Sequence, residues 1–201
     1  LLARVKSIYD KKEQLNLSAE DAKLLEDLYE SFKANGATLN KDDKEKYRKL
    51  SMDLSMLTLQ FDQNALKDKN RFELLITDEN ELSGLPESAR DAAAMLAKSK
   101  DKNGWLFNLS APSYIPFMRY SDKRDLREKM YREYMSVGNK GDEFDNKDII
   151  KKIVNIRLEI AQLMGFKNYA EYALEHTMAK NSANVYKLLN QLLEAYKTDS
   201  D

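Results

Sequence analysis

Residues 145–180, with the sequence DNKDIIKKIVNIRLEIAQLMGFKNYAEYALEHTMAK, contain the pattern that decides the fold. Apolar side chains recur there at alternating spacings of four and three, which places them on one face of a helix: Ile149, Ile153, Ile156, Ile160 and Leu163. Further apolar side chains widen this stripe, so we expect a well-buried helix: Ile150, Val154, Ala161 and Met164. Asp145 or Asn146 is the expected N-cap, and Gly165 is expected to end the helix in the left-handed conformation.

Helical patterns continue towards the C-terminus. Asn168 and Glu171 resemble a capping box, so a second helix is expected to begin immediately after Gly165. Asn181 or Ser182 is expected to cap the last helix. The apolar face of that last helix comprises Val185, Leu188, Leu189, Leu192 and Tyr196.

The N-terminal third also predicts helices. Residues 1–15 follow helical spacing, Ser18 is the expected cap of a second helix, and Asn40 opens a long helix that reaches about Lys67. One face of the long helix is apolar throughout, through Tyr47, Leu50, Leu54, Leu57, Phe61 and Ala65. Met52, Met56 and Leu59 add apolar surface on a second face. Because no other helix is expected to be so long, we favour an intramolecular bundle over a coiled coil.

The hydrophobic period changes in the middle of the chain. Apolar side chains alternate along residues 72–76 and again along 105–109, which predicts short strands that pair with each other, in a direction that the sequence leaves open. A helix is expected to begin at Leu85-Pro86, a short helical turn at residues 112–117, and another helix at Ser121 as its cap. The expected fold is therefore mainly α, a multi-helix, bundle-like lobe with one small two-stranded β element. The expected divisions are residues 1–70, 71–120 and 121–201.

The composition of the chain excludes several classes of function. The chain has 201 residues, with 42% hydrophobic and 33% charged, which is typical of a helical protein with a real core. A net charge of −1 gives no electrostatic case for nucleic acid or an acidic membrane surface. There are no cysteines, which excludes disulfides and thiolate metal sites. No apolar run is long enough to span a bilayer. Cytoplasm and periplasm both remain open as compartments.

The helical pattern is already under way at the first residue. Leu1, Leu2, Val5 and Ile8 follow helical spacing without a preceding cap. We therefore expect the chain to be one piece of a longer protein.

Each candidate functional residue can also be explained by a purely structural role. His176 is the only histidine, and without cysteine it cannot supply a catalytic zinc site, so a surface or helix-terminal role is favoured. The acidic loop at residues 141–148 does not follow the alternating register of an EF-hand, and helix capping by Asp145 explains it better. Tyrosines cluster in the second half, where either core packing or contact with a peptide accounts for them: Tyr114, Tyr120, Tyr131, Tyr134, Tyr169 and Tyr172. No catalytic, cofactor-binding or metal-binding residue is expected in this chain.

Several segments resemble the thimet oligopeptidase and peptidyl-dipeptidase family of zinc metallopeptidases. The resemblance runs from about Phe32 to the C-terminus, and is strongest in LMGFKNYAE (163–171) followed by MAK (178–180), WLFNLSAPSYIPFMRY (105–120) and LREKMY (126–131). FELLI (72–76) and LSGLPE (82–87) are also similar. Within the family, ANGATL (34–39) and GDEFDN (141–146) look closest to the bacterial peptidyl-dipeptidases. The H-E-x-x-H signature of the family is absent, because Thr177 follows His176.

The resemblance implies a parent protein with two largely helical lobes around a deep channel that admits short unfolded peptides. This chain would be its non-catalytic N-terminal part and form channel wall. Zinc and the H-E-x-x-H motif would lie in a missing C-terminal catalytic half, and the expected partners are that half and short peptide substrates. The alternative is a stand-alone helical interaction module without peptidase activity.

Overall fold

The computed structural model describes residues 1–197. Its elements in chain order are α1 (Leu2–Tyr9), α2 (Ala19–Ala34), α3 (Lys41–Arg71), β1 (Leu74–Ile76), α4 (Glu87–Ser99), β2 (Trp105–Phe107), α5 (Ala111–Tyr120), α6 (Arg124–Met135), α7 (Lys147–Leu163), α8 (Tyr169–Leu174) and α9 (Ser182–Lys197). Short 3₁₀ turns lie at Lys12–Gln14 and Glu79–Leu82. The expected fold, mainly helical with one two-stranded sheet, is confirmed.

The described chain divides into two compact units. Residues 57–152 form one unit, and residues 1–56 together with the described residues from Ile153 onward form the other. Both boundaries fall inside long helices, α3 and α7. The expected divisions at residues 1–70, 71–120 and 121–201 stay a prediction. No helix among the described residues is both long and apolar enough to cross a bilayer.

The sheet of the 57–152 unit is antiparallel, which settles the direction that the sequence left open. Leu74 lies opposite Phe107, and Ile76 opposite Trp105. Leu74, Ile76 and Phe107 are buried, so one face of the pair contributes to the core. The ring of Phe107 meets that of Phe117 edge-on, with centroids 4.8 Å apart. This core comprises Phe72, Leu74, Ile76, Leu82, Leu85, Ala93, Phe107, Leu109, Phe117 and Met130.

Two helices around this core differ from the expectations. The short turn expected at residues 112–117 is a ten-residue helix, α5, which continues through Pro116. A proline here removes a single backbone hydrogen bond, and burial of Phe117 offsets that loss. Ser121 is not the N-cap of α6, because the helix begins at Arg124 and the Ser121 hydroxyl accepts the Lys123 amide at 3.2 Å.

Tyrosines connect several helices of the unit that contains the chain's N-terminus. Tyr9 of α1 stacks on Tyr29 of α2 with ring centroids 4.0 Å apart. The hydroxyl of Tyr172, on α8, donates to the carbonyl of Ala34 at the end of α2 over 2.8 Å. Burial raises the pKa of Tyr172, and a hydrogen bond with Tyr47 adds to that effect. These contacts join α1 to α2, and α8 to α2 and α3.

The caps expected from the sequence are confirmed at several helices. The side-chain oxygens of Ser18, Asn40 and Asn168 accept the amides of Asp21, Asp43 and Glu171 at 3.1, 2.9 and 3.0 Å. The last helix follows the same rule, since Asn181 accepts the Asn184 amide at 2.9 Å. The long helix α3 extends four residues beyond the expected end, to Arg71.

Gly165 ends α7 as expected. It has φ +89°, and its amide donates to the Gln162 carbonyl while the Phe166 amide donates to the Ala161 carbonyl. That pair of hydrogen bonds is the Schellman motif. On the helical face of α7 that begins at Ile149, the side chains of Ile149, Ile153 and Ile160 are buried. The expectation of a well-buried helix is wrong for the first half of the wider stripe, because Ile150 and Val154 are 47% and 57% exposed, whereas Ala161 is buried.

Candidate functional site

A buried carboxylate on α3 organises the polar centre of the 57–152 unit. The Asp68 side chain is fully buried, and it accepts the Gly138 amide at 2.7 Å and the Lys140 ammonium at 3.1 Å. Arg71 Nε lies 2.6 Å from the same carboxylate. Lys140 also bonds Glu133 of α6 at 2.7 Å. Asp68 therefore ties the loop after α6 to the C-terminal end of α3.

A pair of asparagines extends this attachment to the start of α7. Asn64 Nδ2 donates to Asn146 Oδ1 at 3.0 Å, and Asn146 Nδ2 donates to the Phe61 carbonyl at 3.0 Å. Asn146 is buried, and its amide donates to the Gly138 carbonyl at 2.7 Å. The two residues that the sequence offered as N-cap of α7 have different roles. The Asn146 side chain forms hydrogen bonds with α3, and the Asp145 side chain accepts the first helical amide, that of Lys147.

The acidic loop at residues 141–148 is explained by its own hydrogen bonds. Asp145 accepts the amides of Gly141 and Lys147 at 2.7 and 2.9 Å, and these bonds, that of Lys147 foremost, lower the pKa of Asp145 to about 2. Asp142 pairs with Arg71, which lowers the pKa of Asp142 as well. The capping interpretation of Asp145 is confirmed. Within residues 1–197, no group of three or more His, Cys, Asp or Glu side chains could hold a metal ion.

His176 lies at the surface just beyond α8. Its Nε2 is 3.4 Å from Glu175 Oε2, and 48% of the side chain is exposed. This agrees with the surface interpretation of the lone histidine.

Three of the tyrosines come together at the meeting point of α3, α5 and α6. Tyr114 stacks on Tyr134 with centroids 4.2 Å apart and planes 16° from parallel. Burial raises the pKa of Tyr114, and the neighbouring Tyr134 and Tyr131 raise it further. The Lys69 ammonium lies 5.6 Å from the centroid of the Tyr134 ring. We call Tyr114, Tyr131 and Tyr134 the tyrosine cluster.

A shallow pocket lies beside α4, between that helix and the β2–α5 turn. It is lined mostly by small and apolar side chains, with Asn108, Ser110 and Ser113 as polar members. The Ser113 hydroxyl accepts the Asn108 amide at 3.0 Å. The single histidine of the chain belongs to the other unit, so the unit that contains Ser113 holds no imidazole that could act as its base.

The apolar face of α9 is exposed to solvent. Its large side chains are all at least 42% exposed: Tyr186, Leu188, Leu189, Leu192, Leu193 and Tyr196. Residues three and four apart lie on the same side of a helix, so these leucines form a continuous apolar stripe. Only Val185 of the expected face is half-buried.

Comparison with known proteins shows which family the chain resembles. Residues 117–198 match the model of peptidase family M3. Over 98% of its length the chain is 36% identical to an oligopeptidase A of Haemophilus influenzae, and over 97% it is 38% identical to a probable cytosolic oligopeptidase A of Arabidopsis thaliana. The chain is therefore similar to members of peptidase family M3.

The chain is also similar to a dipeptidyl carboxypeptidase of Escherichia coli, with 31% identity over 97% of its length. That identity is lower than those to the two oligopeptidase A relatives, so identity does not favour the peptidyl-dipeptidase branch of the family. The chain spans 30%, 28% and 29% of the three relatives' lengths. It therefore corresponds to less than a third of each relative.

The sequence pointed to the capping residues and the tyrosines, but it missed the buried polar residues of α3. Asn64 and Asp68 stand where the inward stripe of Phe61 and Ala65 continues along the helix. A polar side chain at an inward position is the signal that could have revealed them, because burial demands a hydrogen-bond partner.

Proposed function

We propose that this chain is a non-catalytic part of a zinc-dependent oligopeptidase or peptidyl-dipeptidase and that its helices contribute to the wall of a substrate channel. The observation that carries the proposal is the match of nearly the whole chain, 98% and 97%, to proteins named as oligopeptidases. Short unfolded peptides are the proposed substrates of the parent protein.

The side chains of this chain do not fit a catalytic zinc. Such a site needs about three protein ligands in tight geometry, usually imidazole nitrogens with a carboxylate. The chain has one histidine and no cysteine, and His176 lies beside a single carboxylate, that of Glu175. The proposed zinc therefore belongs to residues of the parent protein outside this chain, and we assign no chemical step to the residues described here.

The bare stripe of α9 supports a larger parent protein. Monomeric proteins rarely leave a contiguous apolar patch of more than a few hundred Å² exposed, and such patches mark interaction surfaces. Leu188, Leu189 and Leu192 are 58%, 52% and 42% exposed and adjoin one another on the helix. The proposed cover of this stripe is the catalytic part of the same protein.

The stripe also favours a second candidate, a helical interaction module that binds partner proteins and has no peptidase activity. The coding sequence that surrounds this chain discriminates between the two. An H-E-x-x-H motif downstream supports the peptidase, and an open reading frame without such a motif supports the interaction module.

The activity test compares the 201-residue chain with the full-length gene product. Both are purified, their zinc content is measured, and each is given a quenched fluorescent peptide. The full-length protein is expected to hold zinc and to cleave the peptide in a chelator-sensitive way, and the 201-residue chain to do neither. A full-length protein that neither binds zinc nor cleaves peptides would refute the proposal, as would zinc-dependent turnover by the 201-residue chain alone.

A further inference from the structure

Lys69 carries a positive charge that no carboxylate of the described chain neutralises. Its side chain is half-buried, and its ammonium lies over the ring of Tyr134. The acid next to it in the sequence, Asp68, is already paired with Arg71 and Lys140, and among residues 1–197 no carboxylate forms an ion pair with Lys69. A cation held near a ring and lacking an acidic partner is complementary to an anionic ligand.

The tyrosine cluster beside Lys69 offers ring surface to solvent. Tyr131 and Tyr134 are 49% and 37% exposed, so a large part of each apolar ring faces solvent and not the protein interior. Stacking of Tyr134 on Tyr114 holds the ring in one orientation. Tyrosine gives rigid, amphipathic contact area at a low cost in conformational entropy, which is why it is enriched at recognition surfaces.

We propose that the tyrosine cluster and Lys69 form a binding site for short unfolded peptides, in which Lys69 pairs with a peptide carboxylate and the tyrosine rings contact apolar peptide side chains. This inference rests on the proposed function and names the surface that would contact the substrate. A single ammonium suits a carboxylate better than a phosphate, for which guanidinium groups give bidentate contacts. The carboxylate comes either from the peptide C-terminus or from an acidic side chain.

The test uses the 201-residue chain with ¹³C-labelled tyrosine rings, whose NMR signals are followed during peptide titrations. The probes are acetyl-Ala-Ala-Phe-Ala-Phe with a free C-terminal carboxylate, the same peptide as the C-terminal amide, and the amide with one alanine replaced by glutamate. The variants are Lys69→Gln and Tyr131→Ala. Their matched controls are Lys129→Gln, an exposed lysine of α6, and Tyr120→Ala, an exposed tyrosine of α5 outside the tyrosine cluster.

The free-acid peptide is expected to shift the signals of the tyrosine cluster. Lys69→Gln should raise its Kd about threefold, as for a solvent-accessible ion pair. Tyr131→Ala should raise the Kd about fivefold, as for loss of an aromatic contact. Both control variants should leave the Kd unchanged, and circular dichroism checks that every variant is folded. If the glutamate amide binds as well as the free acid, an acidic side chain is the source of the carboxylate; if it binds as weakly as the plain amide, the C-terminus is the source.

Equal Kd values for the free acid and both amides would overturn the inference, as would an unchanged Kd for Lys69→Gln. The outcome is separable from that of the proposed function. Peptide hydrolysis by the full-length protein without peptide binding at the tyrosine cluster refutes this inference alone. Peptide binding at the cluster without hydrolysis by the full-length protein refutes the proposed peptidase and leaves the binding site standing.

Discussion

The amide of Gly138 donates a 2.7 Å hydrogen bond to the carboxylate of Asp68, a side chain with no exposed surface that lies 70 residues earlier in the chain. This bond and the ion pairs of Asp68 with Arg71 and Lys140 hold the loop before α7 against α3. A buried carboxylate with several donors is costly to disrupt, because loss of its charge leaves those donors with poorer partners.

Asp68→Asn is therefore expected to lower the free energy of unfolding by about 2 kcal/mol. The asparagine amide retains one acceptor oxygen for the Gly138 amide but forms no ion pair with Lys140 or Arg71. The side chains of Lys140 and Arg71 are 19% and 37% exposed, so both cations remain partly solvated. Asp148→Asn is the control, since that side chain is 85% exposed and should change stability by less than about 0.5 kcal/mol. Urea unfolding measures both, and equal stabilities for the two variants would contradict the central role of Asp68.

Asp145 predicts a specific acid sensitivity. Its folded pKa is about 2, below the ordinary value of 3.8, because the carboxylate accepts the Lys147 amide, pairs with the Lys147 ammonium at 2.9 Å and accepts the Gly141 amide. A lowered folded pKa means that the contribution of this group is complete above pH 3.8 and is lost as the pH falls towards 2.

The wild-type chain should therefore lose more stability between about pH 4 and 2 than Asp145→Asn does. Thermal midpoints of the two proteins across that range measure the difference, with Asp148→Asn as the control for a carboxylate that is 85% exposed. Parallel midpoint curves for wild type and Asp145→Asn would show that the folded chain does not favour the ionised form.

What the sequence predicted correctly is local. Helix caps and helix ends depend on residues within a few positions of each other, so the sequence alone predicts them. Examples are the caps at Ser18, Asn40 and Asn168 and the end of α7 at Gly165. The inward stripes of α3 and α7 follow from helical periodicity alone.

What the sequence left open depends on distant residues. The antiparallel pairing of β1 with β2, the contact of Asp68 with Gly138, and the stack of Tyr114 on Tyr134 each join separate elements. No spacing rule specifies such contacts. The over-estimated burial of α7 has a similar cause, because Ile150 and Val154 are apolar whether or not anything covers them. The absence of catalytic residues from this chain was an expectation from one histidine and no cysteine, and it stays a prediction.

Glycine substitutions distinguish backbone strain from steric overlap. Gly165 has φ +89° and an added Cβ would meet nothing within 4 Å, so Gly165→Val should cost about 1–2 kcal/mol through strain alone. Gly104 has φ +112° and its added Cβ would lie 2.2 Å from the Ile76 carbonyl oxygen. Gly104→Ala should therefore destabilise the chain more than Gly165→Ala does. Thermal unfolding of the three variants tests this order, and a neutral Gly165→Val would exclude strain at the α7 cap.

The exposed leucines of α9 predict self-association of the 201-residue chain. Leu189 and Leu192 lie on one side of the helix and are 52% and 42% exposed, so two copies can remove this apolar surface from water by pairing. Replacing both leucines with glutamate should weaken association in sedimentation velocity runs at increasing concentration. It should change the stability of the monomer by less than about 0.5 kcal/mol, because no packed core is disturbed. Leu24→Glu, the same chemical change at an exposed position of α2, serves as the control and should leave association unchanged. A wild-type chain that sediments as a monomer at every concentration would show that the stripe does not drive pairing.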